Sequence, residues 1–262
     1  PRRNEGIGLY GLSNNFAMAI APSVGIWLHD AVGSYMVLFW IALAVAGSSV
    51  VIAGTLKLPE KEIIKNKDKL SLDRFFLTRA WLLAINIAMF GFCWGVLSNY
   101  LAIYSKEALG ITGGTGTYFA ILSCGLFLSR LQGRKALRDG RLTQNAMEGM
   151  CLSLVGFILF VAVPHPVAYY LSAALIGLGN GHLYPAFLNM FVAVARHDQR
   201  GTANSTILTS WDLGMGLGIL SGGVLIEYMG YTSAFAFTAG AQIVGASLMW
   251  LRTRRFYMER RV

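Results

Sequence analysis

Residues Ala174 to Phe191 read ALIGLGNGHLYPAFLNMF, a run apolar enough and long enough to cross a bilayer, yet it sets Asn180, His182, Tyr184 and Asn189 among three glycines and Pro185. Polar side chains are costly in hydrocarbon, and glycine and proline weaken a helix. What such a run means depends on the chain around it. That chain of 262 residues is 55% hydrophobic and only 13% charged, with a mean hydropathy of +0.54, whereas an ordinary soluble domain has roughly 25% charged residues. Apolar stretches of about 20 residues, the length that crosses a hydrocarbon core of roughly 30 Å, recur between short polar connections. We read eight spans, at 7–28, 35–56, 80–104, 111–130, 145–163, 167–195, 203–226 and 231–251. None alternates apolar with polar residues as a membrane β-strand does, so the expected fold class is all-α, a polytopic helical membrane protein.

Charge placement sets the orientation. All but Lys106 of the 22 basic residues lie at the chain ends or in the connections after the second, fourth and sixth spans. Basic residues near span ends stay on the cytoplasmic side, so both ends of this chain are expected there. The net charge of +9 then has a topological origin and calls for no nucleic-acid partner. Cys93, Cys124 and Cys151 fall inside spans, with neither a disulfide framework nor metal-ligand spacing. GLGNGH and TGGTGT do not complete a nucleotide-binding loop. No cofactor or metal is expected. The chain opens at Pro1 rather than Met and is expected to be a fragment of a longer protein.

The first and seventh spans are similar. Arg3, Gly6, Asn15, Ala17, Ala21, Gly25 and Gly33 align with Arg200, Gly201, Asp212, Gly214, Gly218, Gly222 and Gly230, with a small gap after the first glycine. A repeat six spans apart implies a six-span unit. Residues 1–56 are then the last two helices of an N-terminal half, 57–79 a charged cytoplasmic linker, 80–251 a complete C-terminal half and 252–262 a basic cytoplasmic tail. Parallel six-helix halves of this kind are a secondary-transporter architecture.

On these residues the chain resembles the fifth to twelfth helices of a major facilitator superfamily transporter. AMAIAPSVG, Ala17 to Gly25, is similar to the family's fifth-helix antiporter motif, with Ala17 and Ala21 where glycines are usual. GRKALRDGR resembles its cytoplasmic loop motif, with Gly133, Arg138, Gly140 and Arg141 in register and Leu137 where Asp is common. GLGNGHLYP and RGTANSTILTSWDLGMGLG look like tenth- and eleventh-helix signatures of exporters. The resemblance implies alternating access, a small organic solute and, from the antiporter-like segment around Pro22, export. Uptake of a sugar or organic acid and a non-transporting sensor of the same fold stand beside that reading. A membrane-embedded enzyme would need clustered acids, histidines or a metal motif at one membrane face, and the sequence shows none. The expected setting is a bacterial inner or plasma membrane, the expected state a monomer.

Three spans supply the candidate solute cavity. In the sixth, Asn180 and Tyr184 share one face and His182 and Asn189 another, near the span centre. The glycines and Pro185 are expected to loosen or kink the helix at that depth. In the third, Asn86, Phe90, Cys93, Tyr100 and Tyr104 form a mixed aromatic and polar stripe, readable equally as core. In the seventh, Ser205, Thr209 and Asp212 share a face. Asp212 is the one acidic residue well inside a span, and so the candidate proton carrier; pairing with Arg130 is the structural alternative. Ala17, Ala21 and Gly25, like Gly214, Gly218 and Gly222, are small residues four apart that permit close helix contact, static or sliding.

Overall fold

A computed structural model describes residues 17, 20–21, 23–56 and 75–261. Among them there is no strand. Helix α1 covers residues 23–32, followed by α2 Tyr35–Thr55, α3 Trp81–Glu107, α4 Gly114–Arg138, α5 Leu142–Ala162, α6 Pro166–Val194 and α7 Arg200–Leu248. A π-helical turn, Met249–Thr253, leads into α8, Arg254–Arg260. Helix α7 has 49 residues, about 73 Å at 1.5 Å per residue, too long for one crossing. Gly230 divides it, at φ 78° and ψ 170°. The first arm, 200–229, runs parallel to α3: Gly214 meets Ala88, and Gly218 meets Phe92. The second arm runs antiparallel, since Cys93 Sγ donates to the Thr238 carbonyl (3.4 Å) and Asn86 Nδ2 to Thr253 Oγ1 (2.8 Å). The helices therefore fall on the eight expected spans, the first of them described only in part.

Turn chemistry explains three of the connections. Gly33 and Gly230, matched in the sequence repeat, both have φ in the left-handed region, 69° and 78°, where a side chain is strained and glycine is not. At the end of α4 the Arg141 amide bonds the Ala136 carbonyl (2.9 Å) and the Gly140 amide the Leu137 carbonyl (3.2 Å). This is a Schellman ending with Gly140, φ 71°, at its left-handed position.

The core lies among α3 to α7 in two clusters. One, containing Leu77, Leu83, Ile87, Phe187, Met190 and Tyr257, is at the basic end of the bundle; the other, containing Tyr104, Tyr118, Phe160, Tyr169 and Phe235, is at the opposite end. Ser153, Asn180 and Gln242 separate the two along α5, α6 and the second arm of α7. Ser153 Oγ accepts from Gln242 Nε2 (2.6 Å) and donates to Asn180 Oδ1 (3.5 Å). No residue of α2 is buried, and α1 touches α4 through Ser23 Oγ, which donates to the Gly116 carbonyl (3.1 Å).

Two helices add detail to the expected spans. Helix α6 is continuous over 29 residues despite Pro185 and its glycines. Helix α4 continues eight residues past the expected end at 130, because its last two turns carry Lys and Arg where the helix dipole favours them.

Candidate functional site

The glycines of α6 serve contact. A Cβ on Gly177 would run into the main chain of Leu122, and one on Gly181 into Ser129, both on α4; one on Gly179 would strike Gly149 and Ser153 of α5. Because 177 and 181 are four apart and 179 lies on the opposite face, α6 is wedged between two neighbours at backbone distance. That closeness fixes His182, which is 5% exposed. Asn145 Nδ2 donates to the His182 carbonyl (3.0 Å), and Asn145 Oδ1 stands 2.9 Å from His182 Nδ1. A carbonyl only accepts, so the amide must turn its NH2 there and its oxygen to the ring. Nδ1 therefore carries a proton. Gly133 makes the room: a Cβ there would lie 2.8 Å from His182 Nδ1. The imidazole faces the packed interior of α4, α5 and α6.

The inner residues of the α3 stripe take the core reading. Asn86, Phe90 and Cys93 are all buried and face the second arm of α7 and its continuation: Asn86 bonds Thr253, Phe90 packs at Gly245, and Cys93 bonds the Thr238 carbonyl. The Asn86 Oδ1 atom has no hydrogen-bond partner among the described residues. Tyr100 ties α3 to the first arm, donating to the Ile219 carbonyl (2.7 Å) over Gly222 and Gly223. Tyr104 belongs to the aromatic cluster, with Phe160 and Phe235 each 5.0 Å away between ring centroids.

Other residues lie nearer open surface. Asn180 and Tyr184 are half-buried and Asn189 is exposed, its Nδ2 bonding the Pro185 carbonyl (2.8 Å). Tyr184 stands edge-on to Trp211 at 5.9 Å. Beside Trp211, Ser205, Thr209 and Asp212 form an exposed polar stripe. Asp212 lies about 18 Å along the helix axis from Arg200. The ion pairs among the described residues join His29 to Asp30 and Arg138 and Arg141 to Asp139, so the alternative pairing of Asp212 with Arg130 is not formed. The other face of the same helix is closed. Cβ atoms on Gly214 and Gly218 would collide with the Ala88 and Phe92 carbonyls, and α3 reciprocates with Gly91 and Gly95 against Trp211 and Met215.

Ala17 and Ala21 line a cleft of about 450 Å³ with Ile26, Trp94, Ser98, Ala102, Thr115 and Phe119. Gly25 has open space at its Cβ position, and Pro22 lies outside the described residues. The cleft's α3 residues were missed as a site, although Trp94, Ser98 and Ala102 recur every four positions. Of the loop motif, Gly133 sits inside α4 and Arg138 ends it, so only Gly140 and Arg141 lie in the connection.

The profile of the Major Facilitator Superfamily matches residues 1–147 and again 146–261. The chain is 24% identical over 254 residues to the uncharacterized MFS-type transporter YhhS of Escherichia coli, covering 96% of this chain and 59% of that protein. It is 25% identical over 253 residues to YhhS of Salmonella typhi, with the same coverage. It thus spans about 59% of the length of these relatives. In three dimensions it resembles a bacterial homolog of the human lysosomal transporter Spinster, in an inward-facing and unoccupied conformation, with a TM-score of 0.66 and 14% identity over 100% of this chain and 72% of that one. The human organic anion transporter MFSD10 gives a TM-score of 0.61 at 15% identity, over 71% of this chain and 44% of that one. With both family matches together running from residue 1 to 261 and, among the described residues, helices long and apolar enough to cross a membrane, the chain belongs to the Major Facilitator Superfamily.

Proposed function

We propose that this chain contributes two helices of one six-helix half and a complete second half to a secondary transporter that moves a small organic solute by alternating access, as a proton-coupled exporter. The observation that carries the reading is the stripe Ser205, Thr209 and Asp212. It is exposed on a helix whose opposite side is closed by glycine contacts with α3. A carboxylate at such depth costs about 2.5–3.5 kcal/mol against lipid on insertion scales. That cost is avoided if this face borders a hydrated cavity. Asp212 then serves as the proton carrier, and Tyr184 and Trp211, edge to face beside it, supply aromatic surface for an organic solute. Export rests on the antiporter-like segment from Ala17 to Gly25. The basic connections support a bacterial inner or plasma membrane with both ends of this chain cytoplasmic.

The test is solute-driven proton flux in proteoliposomes holding the full-length protein and an internal pH-sensitive dye. Flux in the wild type that disappears in a folded Asp212→Asn variant is the expected result. Undiminished flux in the variant removes Asp212 from coupling. Solute binding without flux in the wild type favours a sensor over a transporter.

A further inference from the structure

The basic end of the bundle holds an arrangement that topology alone does not require. Charges that orient spans need only lie on the correct side; two of these are fixed in place. Arg79, just before α3, donates from its Nη2 to the Arg260 carbonyl (3.2 Å), and Arg260 of α8 donates from its Nη1 to the Arg79 carbonyl (3.3 Å). The Arg260 guanidinium lies over the Phe256 ring at 4.2 Å, and Phe256 meets Trp81 edge-on at 5.8 Å.

The scaffold beneath this pair is firmly seated. The Leu77 amide donates to Thr206 Oγ1 (2.8 Å) and Leu77 is 1% exposed. Asn86 holds Thr253 in the π-helical turn that precedes α8, and Tyr257 is buried against the core. Both arginines are half-buried, and among the described residues no carboxylate forms an ion pair with either. Arg252, Arg254, Arg255 and Arg261 stand exposed nearby, with Glu259 the acid among them.

Two ordered guanidiniums with spare N–H donors and, among the described residues, no counterion are suited to receive a phosphate group. The position selects the phosphate of a membrane lipid, because the pair sits where a span ends and beside Trp81, which is 49% exposed; indoles favour this headgroup level. We propose that Arg79 and Arg260, with Trp81 and Phe256, bind the headgroup of an anionic phospholipid and so clasp the start of α3 to α8.

Native mass spectrometry of the detergent-solubilised full-length protein, titrated with phosphatidylglycerol or phosphatidylcholine, tests this. The wild type is expected to prefer phosphatidylglycerol. At about one kcal/mol per arginine, the Arg79→Gln, Arg260→Gln double variant is expected to lose roughly 30-fold in affinity. The Arg254→Gln, Arg255→Gln variant removes equal charge from exposed positions and is expected to lose far less. Equal losses in both variants, or no lipid preference in the wild type, would overturn the site. Competition by inorganic phosphate as effective as by the lipid would also overturn it, in favour of a soluble anion. Should the first double variant fail to fold, Arg260→Gln alone is expected to lose roughly fivefold, and an unchanged affinity in that folded variant counts against the proposal.

Discussion

Helices α6 and α7 are both rich in glycine, and they use it differently. In α6 the glycines occupy two faces, so neighbours close on both sides and draw His182 onto Asn145 and Asn180 towards Ser153, while Asn189, past the glycines, stays exposed. In the first arm of α7, Gly214, Gly218 and Gly222 hold one face against α3, while Ser205, Thr209 and Asp212 stay exposed. Where small residues fall around a helix therefore decides whether its polar residues become structure or surface. In a bilayer this control is strong, since apolar side chains gain little by leaving lipid and close backbone contact carries helix association.

The comparison breaks most readily at the closed face of α7. Gly214→Leu or Gly218→Leu places a side chain where a carbonyl of α3 already lies, and backbone cannot yield as a side-chain tip can. A loss of about 3 kcal/mol, at the upper end of overpacking costs or beyond, is expected. It is read as a large fall in thermal midpoint in detergent, or as no recoverable folded protein. Gly216, on the same arm with nothing near its Cβ position, is the control. There Ala is expected to raise stability by about 0.5–1 kcal/mol through lost chain entropy.

The closed site in α6 is sharpened by a double-mutant cycle. His182→Leu and Asn145→Leu singly each leave a buried polar partner and are expected to cost about 1–3 kcal/mol. The double variant should cost less than their sum, with the difference reporting the reciprocal hydrogen bonds. At the end of α4, Gly140→Ala forces a side chain into φ 71° and is expected to cost about 1–2 kcal/mol. Asp212→Asn should be smallest in stability, within about 0.5 kcal/mol for an exposed side chain without an ion pair, while abolishing proton coupling. Thermal unfolding of the same series resolves that ordering.

Individual residues show how far sequence reaches. The match of Gly33 to Gly230 rested on the repeat alone, and both adopt the left-handed conformation expected where a span must turn. The α3 stripe was legible as one face of a helix, but helical spacing cannot say what covers it. Gly230 brings the second arm of α7 back onto Asn86, Phe90 and Cys93. Gly133 drew notice through a loop motif, whereas its place is against Asn145 and His182, on two other helices.

By itself, then, the sequence determined the helical class, the spans, the repeat, the charge asymmetry and the family resemblance. These follow from local composition and period, because a bilayer requires long apolar helices with satisfied backbones. Only the tertiary structure decided which polar residues are paired and which stay open. Asn145 and His182, 37 positions apart, and Arg79 and Arg260, 181 apart, meet through helix packing that no local period encodes. Their partners depend on how backbones approach across the bundle.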